Sequence, residues 1–298
     1  MRNKRFITTV ISIIVFAFLA CTGYYFTTDT NTLETGKNLQ TDGTIVVNYL
    51  DVGQGDSEFI QLPNGKCMLI DASTSDCSDK IVDFISSLGY SKIDYLVATH
   101  PHADHIGGMK AVVQYFDIGE VYMPKASSNS KTYENLLLAI AEKGLSINTA
   151  KAGTVAIQDN DLSAEFLAPV QASYDDLNNY SAVLRLQYGS NVFLFMGDAE
   201  DVSENEVLKN AAKNTLKADV LKVGHHGSKT SSTFEFVSAV SPKVAVIEVG
   251  KDNSYNHPNQ KVLDRFSEIG SKVLRTDING NIAVVSDKAD ITIYSEKE

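Results

Sequence analysis

Positive charge is scarce in this chain. Setting aside Arg2, Lys4 and Arg5 at the start leaves 23 Lys and Arg against 37 Asp and Glu, a net charge of −14. Proteins that hold nucleic acid by its phosphates alone carry a basic surface. The balance therefore counts against tight, non-specific binding of long duplex, while leaving room for a local basic patch. Cysteine is scarce too, at three residues, which excludes a disulfide-stapled scaffold. With Cys21 inside an apolar run, only Cys67 and Cys77 remain as a pair that an oxidising compartment would let join. Tryptophan is absent, which excludes nothing. No repeat or low-complexity segment comes after Thr44, and 43% hydrophobic with 21% charged residues describes an ordinary globular chain and not a disordered one.

Charge of either sign is also missing from Phe6 to Phe26, "FITTVISIIVFAFLACTGYYF". That run is long enough to cross a bilayer as a helix, and the basic residues before it predict a cytoplasmic N-terminus with the rest outside. A cleaved signal peptide accounts for the same composition. "FLAC" offers lipidation at Cys21 as a third route, although Phe18 and Leu19 fit a lipobox poorly. All three routes export the remainder of the chain. Residues 1–26 are therefore expected to be a membrane anchor or signal segment, 27–43 a flexible polar spacer, and 44–298 a folded domain. That domain is expected outside the cell, anchored to the membrane or, if processed, secreted or held as a lipoprotein.

Within the domain, "TIVVNYLDV", "SEFIQL" and "CMLIDAS" alternate like antiparallel strands. "SDKIVDFISSLG" comes next as a helix, with Ser78 as its N-cap and Gly89 as its stop. "IDYLVAT" is a strand that runs straight into a histidine cluster, and Gly107 and Gly108 open the next helical pattern. In the second half, "AVLRLQYG" and "NVFLFMGD" read as a hairpin, succeeded by alternating strands and helices to the end. Two β-rich halves with interspersed helices predict two packed sheets with helices outside.

Three of the six histidines fall in "HPHADH". His100 and His102 are two apart, so from an extended segment they point the same way, and Pro101 stiffens that segment. Asp104 and His105 come directly after, on a loop that can turn them to a second point nearby. Imidazole and carboxylate hold Zn²⁺ and similar ions while leaving a position open for water. Asp198, in "FLFMGDAE", ends a buried strand, where a carboxylate is costly unless paired or metal-bound; a helix cap is its other reading. "HHGSK" comes after a strand and offers His225, His226, Ser228 and Lys229 to a substrate phosphate and its leaving group. "DVGQGD" is a glycine turn that would bring Gln54 or Asp56 to the site mouth. Asp71, ending "CMLID", is placed to orient a metal-bound histidine from behind. "TDINGN" contains Asn279-Gly280, an ordinary hairpin signal.

Together with "DVGQGDSEF", "LIDAS", "NYSAVL", "MGDAE", "KVGHHGSKTSS", "NHP" and "TDINGNI", the "HPHADH" stretch resembles the HxHxDH signature of the metallo-β-lactamase fold superfamily. The likeness runs from about Thr44 to Ser295 and is greatest to the branch containing the C-terminal nuclease-like domain of ComEC competence proteins. The motifs are also similar to those of phosphorylcholine esterases in the same superfamily. The resemblance implies an α/β fold, a four-layer αβ/βα sandwich, holding two divalent metal ions, Zn or Mn. It implies that His100 and His102 bind the first metal, Asp104 and His105 the second, and that Asp198 bridges them. His257 stands where the superfamily supplies its closing ligand, and is favoured for the second metal, with His225 or His226 as alternatives. Where many members supply a third histidine to the first metal, this chain has Asn179 and Ser181, so that site is expected to be looser or to prefer Mn²⁺.

The function this implies is an exported metal-dependent hydrolase, a phosphodiesterase using a metal-activated water. Asp104, His225 and His226 are its candidate catalytic residues, and Asn179, Ser181, Ser228 and Lys229 its substrate-binding ones. The substrate is a phosphate ester, with DNA, a nucleotide or teichoic acid as candidates. No protein partner is implied, and the membrane is met only through the N-terminal segment. A lactonase or β-lactamase, or a non-catalytic phosphate-binding surface protein, are the alternatives.

Overall fold

A computed structural model describes residues 30–32, 38–211 and 216–297. The anchor or signal segment, the lipidation position at Cys21 and part of the spacer lie outside the described residues. Among the described residues no helix is long and apolar enough to cross a membrane.

In chain order the strands are β1 (Thr30–Thr32), β2 (Ile45–Tyr49), β3 (Glu58–Gln61), β4 (Cys67–Ile70), β5 (Lys92–Val97), β6 (Asp117–Met123), β7 (Ile147–Thr149) and β8 (Val155–Asp159). They continue as β9 (Leu162–Phe166), β10 (Leu184–Tyr188), β11 (Asn191–Phe195), β12 (Val220–Lys222), β13 (Val244–Ile247), β14 (Lys272–Arg275), β15 (Ile282–Ser286) and β16 (Ile291–Ser295). A nine-stranded sheet runs β1-β16-β15-β2-β3-β4-β5-β6-β7, and a seven-stranded sheet runs β14-β13-β12-β11-β10-β9-β8. The described part of the expected spacer is attached to this frame: β1 pairs in parallel with β16.

Both faces of the central strands are apolar because both are covered. On β4, Met68 and Ile70 point between the sheets, while Leu69 points outward. On β11, Phe193 and Phe195 meet them from the other sheet, while Leu194 points the opposite way. The outward face of the first sheet is capped by α1 (Ser78–Ser87), the short α2 (Ala103–Ile106), α3 (Met109–Tyr115) and α4 (Lys131–Glu142), through side chains such as Ile81, Ile106, Val112 and Leu136. The second sheet is capped by α5 (Asp201–Asn210), α6 (Phe234–Val240) and α7 (Gln260–Glu268), through Val207, Phe236 and Phe266. The result is helices, sheet, sheet, helices, as the motifs implied.

The strands β4 to β7 are mutually parallel, as are β11 to β14. Open parallel sheets bind ligands beyond the carboxyl ends of their strands. The histidine segment leaves the end of β5, Asp198 the end of β11, and His225 and His226 the end of β12, so one rim of the sandwich collects them.

One open pairing is settled and one local expectation fails. Cys67 and Cys77 are both free thiols. Cys67 opens β4 whereas Cys77 lies beyond its far end, and each is engaged elsewhere: Cys67 Sγ bonds the Lys92 carbonyl and Cys77 Sγ the Val52 carbonyl. Asn279-Gly280 is no hairpin turn. It closes a short helix, α8 (Thr276–Asn279), after which Asn281 Oδ1 accepts from the Asp51 amide.

The glycines after "HPHADHI" have a steric reason. The loop bearing Asp104 and His105 lies directly on the backbone of residues 72–75, and a Cβ at Gly108 would fall 2.3 Å from the Ala72 carbonyl oxygen. Gly108→Ala should destabilise the domain by about 1–3 kcal/mol through overpacking, read as a lower melting temperature. An unchanged value would mean that the histidine-bearing loop can lift off this contact.

Candidate metal centre

The first cluster is built where β5 ends. His100 is buried, with its Nε2 2.9 Å from His102 Nδ1 and 3.8 Å from Asp198 Oδ2. Helix α2 then turns the chain so that Asp104 and His105 face inward one step along. Asp198 Oδ1 lies 3.2 Å from His105 Nε2 and 3.6 Å from His226 Nε2. Two donor groups result: His100, His102 and Asp198; and Asp104, His105, Asp198 and His226. Within each, one donor atom per residue lies within 4.8 Å of all the others. Asp198 belongs to both, offering one oxygen to each side. A tight turn puts it there, with Gly197 at φ +52° and the Asp198 amide donating to Ser181 Oγ at 3.0 Å.

These donors fit divalent cations. His105 Nε2, His226 Nε2 and Asp198 Oδ1 are buried and lack a hydrogen-bond partner of proper geometry among the described residues. Their other ring nitrogens are occupied: His105 Nδ1 bonds Asp71 at 2.7 Å and His226 Nδ1 bonds the Glu248 carbonyl at 2.9 Å. Each ring is thereby set with its Nε2 lone pair toward the common point. Buried atoms with unused lone pairs facing one another are unfavourable unless something positive joins them. The mixed imidazole and carboxylate set suits Zn²⁺ or Mn²⁺. Electrostatics agree. Burial alone would raise the Asp198 carboxyl, yet His105 and His226 hold it well below its ordinary value. Burial alone would lower His226, yet Asp198 and Asp56 push it up to about 10. The pocket is short of positive charge.

Behind the donors stands a support layer that the motifs only partly disclosed. Asp71 is fully buried and accepts from the Thr99 amide and hydroxyl as well as from His105. Asp56, expected at the site mouth, is instead buried behind His226, 3.2 Å from its Nδ1. Its partner is Lys222, whose ammonium is buried at 2.6 Å from Asp56 Oδ2 and 3.9 Å from Glu248 Oε2. Burial raises Glu58 and Glu248, the latter to about 8, and Asp56 adds to both shifts. Lys222 was missed, yet it had a signal: a lysine in register with Val220 on an inward-facing strand has no water to reach. Gln54 does not face the site either; its side-chain oxygen accepts from the Gly250 amide and ties down the loop after β13.

Several expected roles change place. His226 completes the second donor group, where His257 had been favoured, because the backbone at His225 and His226 is left-handed (φ +50° and +52°) and not extended. That bend sends the His226 ring inward and leaves the His225 side chain 22% exposed at the mouth, 3.7 Å from Asp198 Oδ2 and 3.2 Å from Glu200 Oε1. His257 lies one ring further out, 5.6 Å from the His225 ring centroid. Burial, then His225 and His226, lower it to about 4. Asn179 and Ser181 are buried rather than open to substrate: Asn179 Oδ1 accepts from the Ser203 amide, and Ser181 Oγ serves Asp198 and sits 3.5 Å from His100 Nδ1. Ser228 is likewise buried and bonds Thr230, whereas Lys229 is exposed on the rim.

Comparison with known proteins agrees with this geometry. The family model for the metallo-beta-lactamase superfamily matches residues 50–250. The chain is 36% identical over 253 residues to ComE operon protein 3 of Bacillus subtilis, covering 79% of this chain and 32% of that one. It is 31% identical over 234 residues to competence protein ComA of Neisseria gonorrhoeae, covering 78% and 31%. The chain thus spans about a third of the length of the curated relatives it matches. Among solved structures, CmlA, a diiron β-hydroxylase from Streptomyces venezuelae, is similar in fold, with a TM-score of 0.54 at 14% identity over 80% of this chain and 53% of that one.

Two outcomes are expected. Metal content measured by inductively coupled plasma mass spectrometry should fall sharply in Asp198→Asn and His226→Ala and stay near wild type in His257→Ala. The reverse order for the two histidines would restore His257 as the closing ligand. Lys222→Met should cost about 3–5 kcal/mol in chemical denaturation, since it strands buried carboxylates without their cation.

Proposed function

The chain belongs to the metallo-β-lactamase superfamily, and from that premise we propose that it is a metal-dependent phosphodiesterase acting on nucleic-acid strands. The observation that carries this reading is the Asp198 carboxylate shared by two donor groups. Paired divalent cations there would lower the pKa of a bound water and neutralise charge growing on a phosphoryl oxygen. The chain's own residues do the rest. Asp71 and the Glu248 carbonyl fix the ring orientations of His105 and His226, so the donors need little rearrangement when a substrate arrives. His225, partly open to solvent and beside Asp198 and Glu200, is positioned to hand a proton to the departing oxygen. The Lys222–Asp56 pair keeps His226 from drifting toward the core.

Nucleic acid is favoured over other phosphodiesters by the likeness to relatives named for competence and, at 29% identity, to recombination protein 2 of Haemophilus influenzae. The chain's acidity directs the reading toward single strands or short pieces and away from long duplex. The uncharged N-terminal run supports a membrane-exported location for the domain. At the first metal position only His100, His102 and Asp198 converge among the described residues, which supports a weaker site there than at the second.

The purified chain should hydrolyse bis-p-nitrophenyl phosphate with Mn²⁺ or Zn²⁺ and lose that activity in excess chelator. Asp104→Ala and Asp198→Ala should each reduce kcat/KM by roughly 10²–10³-fold, in the range seen when one electrostatic contact to the transition state is removed. Turnover of nitrocefin in place of the phosphodiester would favour a β-lactamase-type hydrolase. Phosphate binding without turnover of either would favour a recognition protein.

A further inference from the structure

The metal-bearing rim holds a second feature that the hydrolytic step does not use. A cavity of about 380 Å³ is lined by Lys125, Lys151, Pro169, Val170, Gln171 and Tyr180, among others. Lys125 lies just after β6, Lys151 after β7 and Pro169 after β9. Because β5, β6 and β7 are parallel, and β9 runs alongside β11 in the same sense through the antiparallel β10, all of these loops emerge on the rim that carries the metal donors. A chain of shared lining and contact leads from it toward the centre. A neighbouring one of about 570 Å³ shares Gln171 and reaches Asn179 and Glu200, and Glu200 Oε1 lies 3.2 Å from His225 Nδ1.

Charge sets the two cavities apart. The one next to the centre includes Asp175, Asp176, Glu200 and Asp201 in its lining, so it repels phosphate and accepts hydrogen bonds from neutral donors. The far one presents two exposed ammonium groups, and neither Lys125 nor Lys151 forms an ion pair among the described residues. What distinguishes them among the exposed lysines is that both line one cavity. Two unpaired lysines turned to one pocket attract an anion, and the apolar wall of Pro169, Val170 and Tyr180 suits the uncharged face of whatever carries it.

We propose that the Lys125–Lys151 cavity is an anion subsite that takes a second phosphate of the same strand whose scissile phosphate meets the metal centre. The acidic stretch between would face the base N–H donors that lie between the two phosphates. The proposal takes its substrate from the phosphodiesterase reading, but the subsite itself rests on the two lysines and the cavity.

The test separates the two claims. Lys125→Ala/Lys151→Ala should leave kcat/KM for bis-p-nitrophenyl phosphate, which has a single phosphodiester, unchanged. It should raise KM for a twelve-residue oligothymidylate about tenfold, with Lys125→Arg/Lys151→Arg restoring it. Binding is read independently by fluorescence anisotropy of the labelled oligomer in an Asp104→Asn background. There the double change should weaken affinity about tenfold and reduce the slope of log K against log salt by about 1.4, as expected for two lost phosphate contacts on a single strand. Lys66→Ala/Lys92→Ala, at the opposite ends of β4 and β5, is the control. Equal loss in the control, or unchanged affinity and slope in the Lys125/Lys151 variant, overturns the subsite. Loss of binding in a wild-type background that never cleaves the oligomer would overturn the phosphodiesterase reading and keep the subsite.

Discussion

A carboxylate held out of water among imidazoles is the constraint on which the rest of this molecule depends. Asp198 is 2% exposed and has His100, His105, His225 and His226 within 4 Å. Such a group is tolerated only where positive charge compensates it. Here the imidazoles are divided between its two oxygens, and the division makes two donor groups side by side that would hold cations. The fold serves that arrangement. Two parallel strand sets end on one rim, and each delivers a different part of the donor set to the same small volume.

The surroundings keep these donors in place from behind. Asp71 and the Glu248 carbonyl hold one nitrogen of each key ring, which commits the other to the centre. Further in, Lys222, Asp56, Glu58 and Glu248 form a buried ionisable layer between the sheets, one lysine among three carboxyl groups. This layer explains why a pocket crowded with acids can persist before any ion enters it. Lys222 holds the Asp56 carboxylate, and Asp56 in turn holds His226. Outward from the centre the character changes by steps, from imidazole, to a carboxylate-lined cavity, to a cavity lined by two lysines.

Much of the site was legible because it lies in contiguous runs. "HPHADH" discloses its chemistry through residue type and spacing alone, since neighbours in a short loop remain neighbours in space. Asp198 and Asp71 were legible for a related reason: a carboxylate ending an apolar strand has few ways to be satisfied. The alternation of the strands also predicted two sheets with helices on both outer faces. The features that escaped depended on contacts between distant segments or on local backbone angles. Asp56 and Lys222 are 166 positions apart, and their pairing exists only once β3 and β12 face each other across the core. The choice between His226 and His257 turned on left-handed backbone at the "HH" pair, which spacing does not reveal. The burial of Asn179 and Ser181 results from the short helical turn before β10, which engages Asn179 with the Ser203 amide and sets Ser181 against Asp198.

The central claim is that Asp198 lies between two cation positions. It is tested most directly by anomalous diffraction from crystals grown with Mn²⁺ or Zn²⁺, with data collected across the metal's absorption edge. The account predicts two peaks flanking the Asp198 carboxylate, one beside His100 and His102 and a stronger one beside Asp104, His105 and His226. A single peak at His257, or no peak near Asp198 in well-ordered crystals, would contradict it.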